Sequence, residues 1–313
     1  MFFKNLLIGL LTLILVILAA LLVFIGIANS GVAARELTES DLSVDWMKEL
    51  DDSMALNEIY IPGTHDSGSL YSFLGVSGKC QSYDIEQQLE MGIRFFDIRL
   101  QLRNDSLAVV HAFVDQNLTF DEVLNSFKAF LEKNPSEFLV VSIKQDADSE
   151  DSTIPFEKAV EDYLAEHLGA LLNTSTSVPE SVGAARGKVH IVSRYHGSSI
   201  GVPASSGWAD STSFEIGEMY VQDYYAIDTV EHKMSDIKSA FDIAKEKRYS
   251  LVLNFTSCYI VDALPPAHAP TAAKLINPQL FNLVSNGEAA PCVFVCDFVT
   301  PELIGEIISL NFN

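Results

Sequence analysis

From residue 56 onward, short apolar runs alternate with stretches whose apolar residues recur every three or four positions. Eight runs read as strands: EIYIP from Glu58, RFFDIRL from Arg94, LAVVH from Leu107, FLVVSIK from Phe138, VHIVSR from Val189, MYVQD from Met219, SLVLNF from Ser250 and CVFVCDF from Cys292. Several are apolar at consecutive positions, the pattern of strands covered on both faces. Between them, Phe120, Val123, Leu124, Phe127, Phe130 and Leu131 share one helical face behind a Thr119 cap and an acidic first turn. Helices are also predicted over residues 155–172 and 229–247. Strand and helix in alternation predict a parallel sheet, and eight strands in one continuous domain, residues 56–313, predict a closed β/α barrel. The interval between the second and third strands is too short for a helix, so the barrel is expected to be irregular.

A different pattern occupies the N-terminus. Residues 6–28 carry no charge, and their only polar side chain is Thr12. About twenty such residues span a bilayer core as a helix. The run follows Lys4 and precedes ANSGVAAR, whose small residues are those of a cleavage region, so residues 1–35 read as a signal peptide or an uncleaved membrane anchor. One lysine before the run and one arginine after it set no orientation by charge, but export is expected, with the rest outside the cytoplasm, secreted or membrane-anchored. Residues 36–55 read as a short acidic linker.

Charge narrows the partners. The chain has 42 Asp and Glu against 20 Lys and Arg, a net charge of −22. That balance argues against a nucleic acid held through its phosphates and against bulk attraction to anionic membranes. Four cysteines are too few for a disulfide framework. Cys292 and Cys296, on one strand, lie ~13 Å apart and cannot pair with each other. Cys80 with Cys258 is the preferred bridge. No ligand spacing for a metal appears, and none is expected.

In such barrels the chemistry gathers where strands end at the carboxyl face. His65 and Asp66 follow the first strand, Asp97 and Arg99 close the second, His111 ends the third and Lys144 the fourth. Arg194 ends the fifth, Asp223 and Tyr225 follow the sixth, and Asp297 ends the last. Two histidines, several carboxylates and an arginine at one mouth meet the needs of phosphodiester cleavage by a neighbouring hydroxyl. One imidazole takes the hydroxyl proton and the other protonates the leaving oxygen. Asp66 and Asp297 are candidates to orient the two rings, and the planar fork of Arg99 suits phosphoryl oxygens. Each residue also has a plainer reading: Asp97 and Arg99 as an i, i+2 ion pair, Lys144 and Arg194 as rim charges.

The segments IPGTHDSG, LEMGIRFFDIRLQ, AVVHAF, NPSEFLVVSIKQD, VHIVSRYHG, YVQDYYAI, LVLNFTS and VFVCDF, in that order, resemble the bacterial-type phosphatidylinositol-specific phospholipase C, the family with the phospholipase X-domain barrel. The resemblance runs from about Asn57 to the C-terminus. It implies a distorted, incompletely closed (β/α)8 barrel of the TIM type in place of the closed one. It also implies His65 as general base aligned by Asp297, His111 as general acid paired with Asp66, and Arg99 on the phosphate with Asp97 beside it. Lys144, Arg194 and Asp223 then fall on positions that hold inositol hydroxyls, and Tyr225 on the ring that stacks against the sugar. The products implied are diacylglycerol and inositol 1,2-cyclic phosphate.

Arg99 and Lys144 stand where calcium-dependent relatives carry carboxylates, so no calcium and no cofactor is expected. The implied substrate is phosphatidylinositol or a glycosylated form of it, met at a membrane surface by a monomer. Two features depart from the pattern. Ala112 follows His111 where a glycine is expected, and residues 197–215 keep little of it and read as a rim loop, with Trp208 either dipping into lipid or packed. A catalytically silent headgroup-binding or protein-binding barrel is the competing reading. Retention of both histidines, both aspartates and Arg99 speaks against it, because binding alone needs no proton-transfer pair. A metal-dependent glycerophosphodiester hydrolase would want a cage of carboxylates where this chain offers cations.

Overall fold

The computed structural model describes residues 2–28, 33–73, 78–262 and 268–312. Part of the cleavage-like stretch, residues 29–32, lies outside them. Fourteen strands form among the described residues. They are β1 (Ile61–Thr64), β2 (Phe95–Arg103), β3 (Ser106–His111), β4 (Val114–Thr119), β5 (Leu139–Gln145), β6 (Leu172–Asn173) and β7 (Val189–Arg194), followed by β8 (Val202–Pro203), β9 (Ser213–Ile216), β10 (Met219–Gln222), β11 (Ala226–Ile227), β12 (Leu251–Phe255), β13 (Tyr259–Ile260) and β14 (Val293–Cys296). The helices are α1 (Phe2–Ala28), α2 (Ile85–Met91), α3 (Phe120–Lys133), α4 (Phe156–Leu168), α5 (Val182–Ala185), α6 (Val230–Lys245), α7 (Ala269–Ser285) and α8 (Pro301–Ser309).

The main sheet runs β6-β7-β5-β2-β1-β14-β12-β10-β9, parallel except for β9, which lies antiparallel to β10. It curls as a barrel does, but among the described residues no ladder joins its two margins. The closed barrel expected from strand count is thus corrected to the open one that the resemblance implied. Two local causes are visible. No helix lies between β7 and β10; the chain there makes only β8, on the outer side of β7, and β9. The third run, moreover, is no barrel strand. β2 pairs with β5 over Phe95–Leu100, then continues past it and pairs antiparallel with β3, which turns into β4. This hairpin folds back over the mouth.

Helices cover the outer face where the apolar spacing placed them. Phe120, Val123, Leu124, Phe127, Phe130 and Leu131 of α3 are all buried. Its N-terminus is held by Glu122, whose carboxylate accepts the Thr119 backbone N–H at 2.8 Å, and Asp121, Glu122 and Lys133 complement the helix dipole. Thr229 and Thr300 cap α6 and α8 through their hydroxyls. The helices over 155–172 and 229–247 form with ends drawn in by a few residues.

Residues 36–55, expected as a linker, instead close the amino-terminal end of the barrel. Trp46, Met47 and Leu50 are buried, and the Trp46 indole N–H donates to Gly92 O at 3.0 Å. Most acidic residues of this stretch face solvent while Trp46, Met47 and Leu50 fill the barrel floor. Helix α1 contrasts with everything else: its side chains from Lys4 to Phe24 are wholly exposed, and it is long and apolar enough to cross a membrane. Thr12 satisfies its hydroxyl on Ile8 O, the internal bond an apolar medium requires.

Candidate active site

The turn after β1 builds the centre of the mouth. Gly63 is required where it stands, because a Cβ would meet Phe95 Cβ at 2.8 Å, so β1 lies close between β2 and β14. Gly68 does the same against the hairpin: a Cβ there would lie 2.7 Å from Val109 Cγ1, and its absence lets β3 settle over the turn. Asp66 between them adopts φ 45°, which turns its side chain away from that of His65. The two neighbours therefore serve different partners. His65 Nδ1 meets Asp297 Oδ1 at 2.8 Å, and Asp66 Oδ2 meets His111 Nδ1 at 2.6 Å.

His111 reaches the mouth on the β3–β4 hairpin. The strand-end reading holds for its position but not for its element, since β3 is antiparallel and off the barrel path. Ala112 takes φ 50°, the conformation for which a glycine was expected, and its N–H donates to Asp146 Oδ2 at 2.7 Å. That bond holds the strained residue in place.

Arg99 sits between the two dyads. Its NH2 group lies 2.8 Å from His65 Nε2 and 3.1 Å from Asp97 Oδ2, while Nε is 3.7 Å from Asp66. Asp97, fully buried, takes Arg99 on one oxygen and Arg194 on the other, at 3.2 Å. Burial opposes its charge, but the two guanidinium groups outweigh this and hold the carboxyl well below the usual range. Asp66 and Asp97 lie beneath the cavity floor. The other eight candidates, His65, Arg99, His111, Lys144, Arg194, Asp223, Tyr225 and Asp297, line one cavity of about 860 Å³.

On the far wall, Trp208 stacks on the Arg194 guanidinium at 3.6 Å and donates its indole N–H to Asp223 Oδ2 at 3.0 Å. It packs against Phe214 and Phe255 rather than projecting outward, so of the two expectations for it the packed one holds. Tyr225 donates to Asp210, a bond to an anion that pushes its phenol up to about 12. Asp146, which the sequence reading left out, bonds Lys144 at 2.6 Å and stands 3.7 Å from Arg99. Its signal was there, two residues beyond Lys144 and on the same side of the strand end; nothing in the irregular stretch around Trp208 marked that residue. The expected Cys80–Cys258 bridge is not formed. All four cysteines are free and buried, and the Cys80 thiol lies against His111 instead.

Hydrogen-bond logic assigns one ring. A carboxylate only accepts and a guanidinium only donates, so His65, held between Asp297 and Arg99, carries its proton on Nδ1 and a lone pair on Nε2. For His111, burial works against the cation, but the adjoining Asp66 carboxylate prevails and raises the imidazole above its ordinary value. One histidine is thus arranged to take a proton and the other to give one.

The chain's residues 53–195 match the model of the family "Phosphatidylinositol-specific phospholipase C, X domain". It is 30% identical to a 1-phosphatidylinositol phosphodiesterase of Staphylococcus aureus over 93% of this chain and 96% of that one. A second 1-phosphatidylinositol phosphodiesterase, from Listeria monocytogenes, is 27% identical over 89% of each chain. Among solved structures, a phosphatidylinositol-specific phospholipase C from S. aureus superposes with a TM-score of 0.76 at 28% identity, over 86% of this chain and 98% of that one. The L. monocytogenes enzyme gives 0.71 at 23% identity, over 87% and 99%, a likeness of fold.

Proposed function

Because the chain belongs to the phosphatidylinositol-specific phospholipase C family, we propose that its mouth cleaves phosphatidylinositol, or a glycosylated form, to diacylglycerol and inositol 1,2-cyclic phosphate. The observation that carries this is the pair of oppositely disposed histidines flanking one guanidinium. With the phosphate beside Arg99, the inositol 2-hydroxyl gives its proton to His65 Nε2 as its oxygen attacks phosphorus. The bond to the glycerol oxygen breaks, and that oxygen leaves with the proton of His111. Asp297 holds the His65 ring in tautomer and angle through its hydrogen bond, and Asp66 sustains the His111 imidazolium as its ion-pair partner. Arg99 stabilises the charge gathering on the phosphoryl oxygens, the task a divalent ion performs in other designs. Lys144, Arg194 and Asp223 hold sugar hydroxyls, and Tyr225 covers the ring face.

The exposed apolar helix α1 supports export or anchoring, which puts the barrel outside the cytoplasm; on this reading it works there as a monomer at a membrane surface. An anchor would keep the mouth near its lipid at high effective concentration. The test is phosphorus NMR of the purified full chain with phosphatidylinositol in excess chelator. A cyclic phosphodiester is expected to appear, with His65→Ala and His111→Ala each slowing turnover by roughly 10²–10⁴-fold. Loss of turnover in chelator, or a linear phosphate with no cyclic precursor, overturns the reading.

A further inference from the structure

Cys80 has no part in the proton transfers, yet its sulfur lies between the two dyads. Sγ stands 3.6 Å from His111 Nδ1, and the donor atoms of Cys80, His111 and Asp66 all lie within 4.8 Å of one another. The sulfur also lies within that distance of a donor atom on each of His65 and Asp297. Around a tetrahedral ion, metal–sulfur and metal–nitrogen or –oxygen bonds of about 2.3 and 2.0 Å put ligand atoms roughly 3.3–3.6 Å apart; the Cys80–His111 separation already matches this, and the 2.6 Å between His111 Nδ1 and Asp66 Oδ2 would widen to it on binding.

Two further observations separate this cluster from a chance gathering. Asp66 is fully buried, and its Oδ2 receives no well-directed hydrogen bond; its close neighbour is His111 Nδ1, approaching as an ion pair. By contrast, Asp297 and His65 Nδ1 satisfy each other with a good hydrogen bond, so the His111 side holds the readier ligands. Access is open, because Cys80 and His111 are both part of the cavity wall. Carboxylates outnumber cations around the mouth, Asp66, Asp97, Asp146, Asp210, Asp223 and Asp297 against Lys79, Arg99, Lys144 and Arg194, with Arg99 Nε 3.7 Å from Asp66 itself.

We propose that Cys80, His111 and Asp66 form an inhibitory site for a borderline-soft divalent cation of the zinc type. One sulfur, one imidazole nitrogen and one carboxylate oxygen with a fourth position open to water are zinc's ligand set. Calcium and magnesium, which want six or more oxygens, gain nothing here. Bound at Nδ1, the ion replaces the proton there and occupies the carboxylate that sustains the imidazolium. His111 then has no excess proton to give, and the thiol releases its own proton on coordination. The consequence for turnover rests on the lyase reading; binding itself does not.

Two measurements on the purified full chain test it separately. Cobalt(II) chloride is expected to produce a near-ultraviolet sulfur-to-cobalt charge-transfer band that zinc chloride abolishes, that Cys80→Ser lacks and that Cys258→Ser keeps. Zinc is expected to inhibit phosphatidylinositol turnover reversibly, with a midpoint at least tenfold higher in Cys80→Ser and Cys80→Ala, whose turnover without metal stays near the parent's. Millimolar calcium or magnesium should leave the rate unchanged. Absence of the cobalt band in the parent, its survival in Cys80→Ser, or equal zinc sensitivity in parent and both variants overturns the site. If the chain turns over no lipid at all, the lyase reading fails while the cobalt band still decides this one.

Discussion

Arg94 just before strand β2 and Arg99 within it meet the same kind of partner with opposite results. Arg94, just before the strand, is sealed in the barrel floor. Its guanidinium donates to Glu137, to Leu89 O and Ile93 O, and to Ser43 O and Val44 O, and it lies 4.6 Å from the centre of the Phe130 ring. Every donor is spent on the protein. Arg99, five residues on at the mouth, keeps 13% of its side chain exposed and shares NH2 between Asp97 and His65, with NH1 only within 3.7 Å of Asp146. It retains donors for a guest. A buried ion pair of the first kind fixes where the N-terminal segment docks, and one of the second kind leaves an unfilled position of matching charge. Satisfaction of donors, more than burial, distinguishes them.

The contrast is broken most forcefully at the floor. Arg94→Met leaves the Glu137 carboxylate buried without its counter-charge and should cost about 3–5 kcal/mol of stability, read as a lower midpoint in urea. The turnover of the fraction still folded should be close to normal. At the mouth the signs reverse: Arg99→Lys keeps a charge but loses the fork, so kcat should fall roughly 10²–10³-fold with an unchanged urea midpoint. Equal losses of stability in both variants would erase the distinction drawn here.

Smaller effects sharpen it. Asp66→Asn removes the anion that raises His111, so its imidazole releases its proton at lower pH. Less of the acid form is then present at any pH above that point, and the alkaline limb of the kcat profile should move acidward; an unmoved limb assigns the acid elsewhere. Trp208→Phe removes the indole N–H held by Asp223 and weakens the ring over Arg194. A loss of about 0.5–2 kcal/mol, roughly 2- to 30-fold, should appear in KM with little change in kcat.

Much of this was legible from residue order, for physical reasons that differ by element. Runs such as VHIVSR and FLVVSIK must be strands covered on both faces, and their ends carried Arg194 and Lys144 to the mouth without any further information. The hairpin was not legible, because LAVVH looks the same whether its strand joins the barrel or doubles back on an extended β2. His111 was found by its place at a strand end while the sheet around it was misassigned. Trp46, Met47 and Leu50 were hidden by the acidic residues that surround them: burial of three side chains is decided by what they can touch, and average composition does not report that. Trp208 lies in an irregular stretch whose contacts with Arg194 and Asp223 no periodicity announces, whereas Asp146 could have been read from its place two residues past Lys144. The pairing of His65 with Asp297, across 232 residues, came from resemblance rather than pattern.

The glycine-flanked turn after β1 has a last consequence. Its adjacent histidine and aspartate belong to separate devices, one receiving a proton and the other sustaining the group that delivers it. A single peptide link, with α-carbons about 3.8 Å apart, therefore sets the spacing of the two carboxylate–imidazole pairs. Thermal wobble of the turn carries both pairs along together, whereas one residue inserted between them would shift one against the other even if every side chain survived.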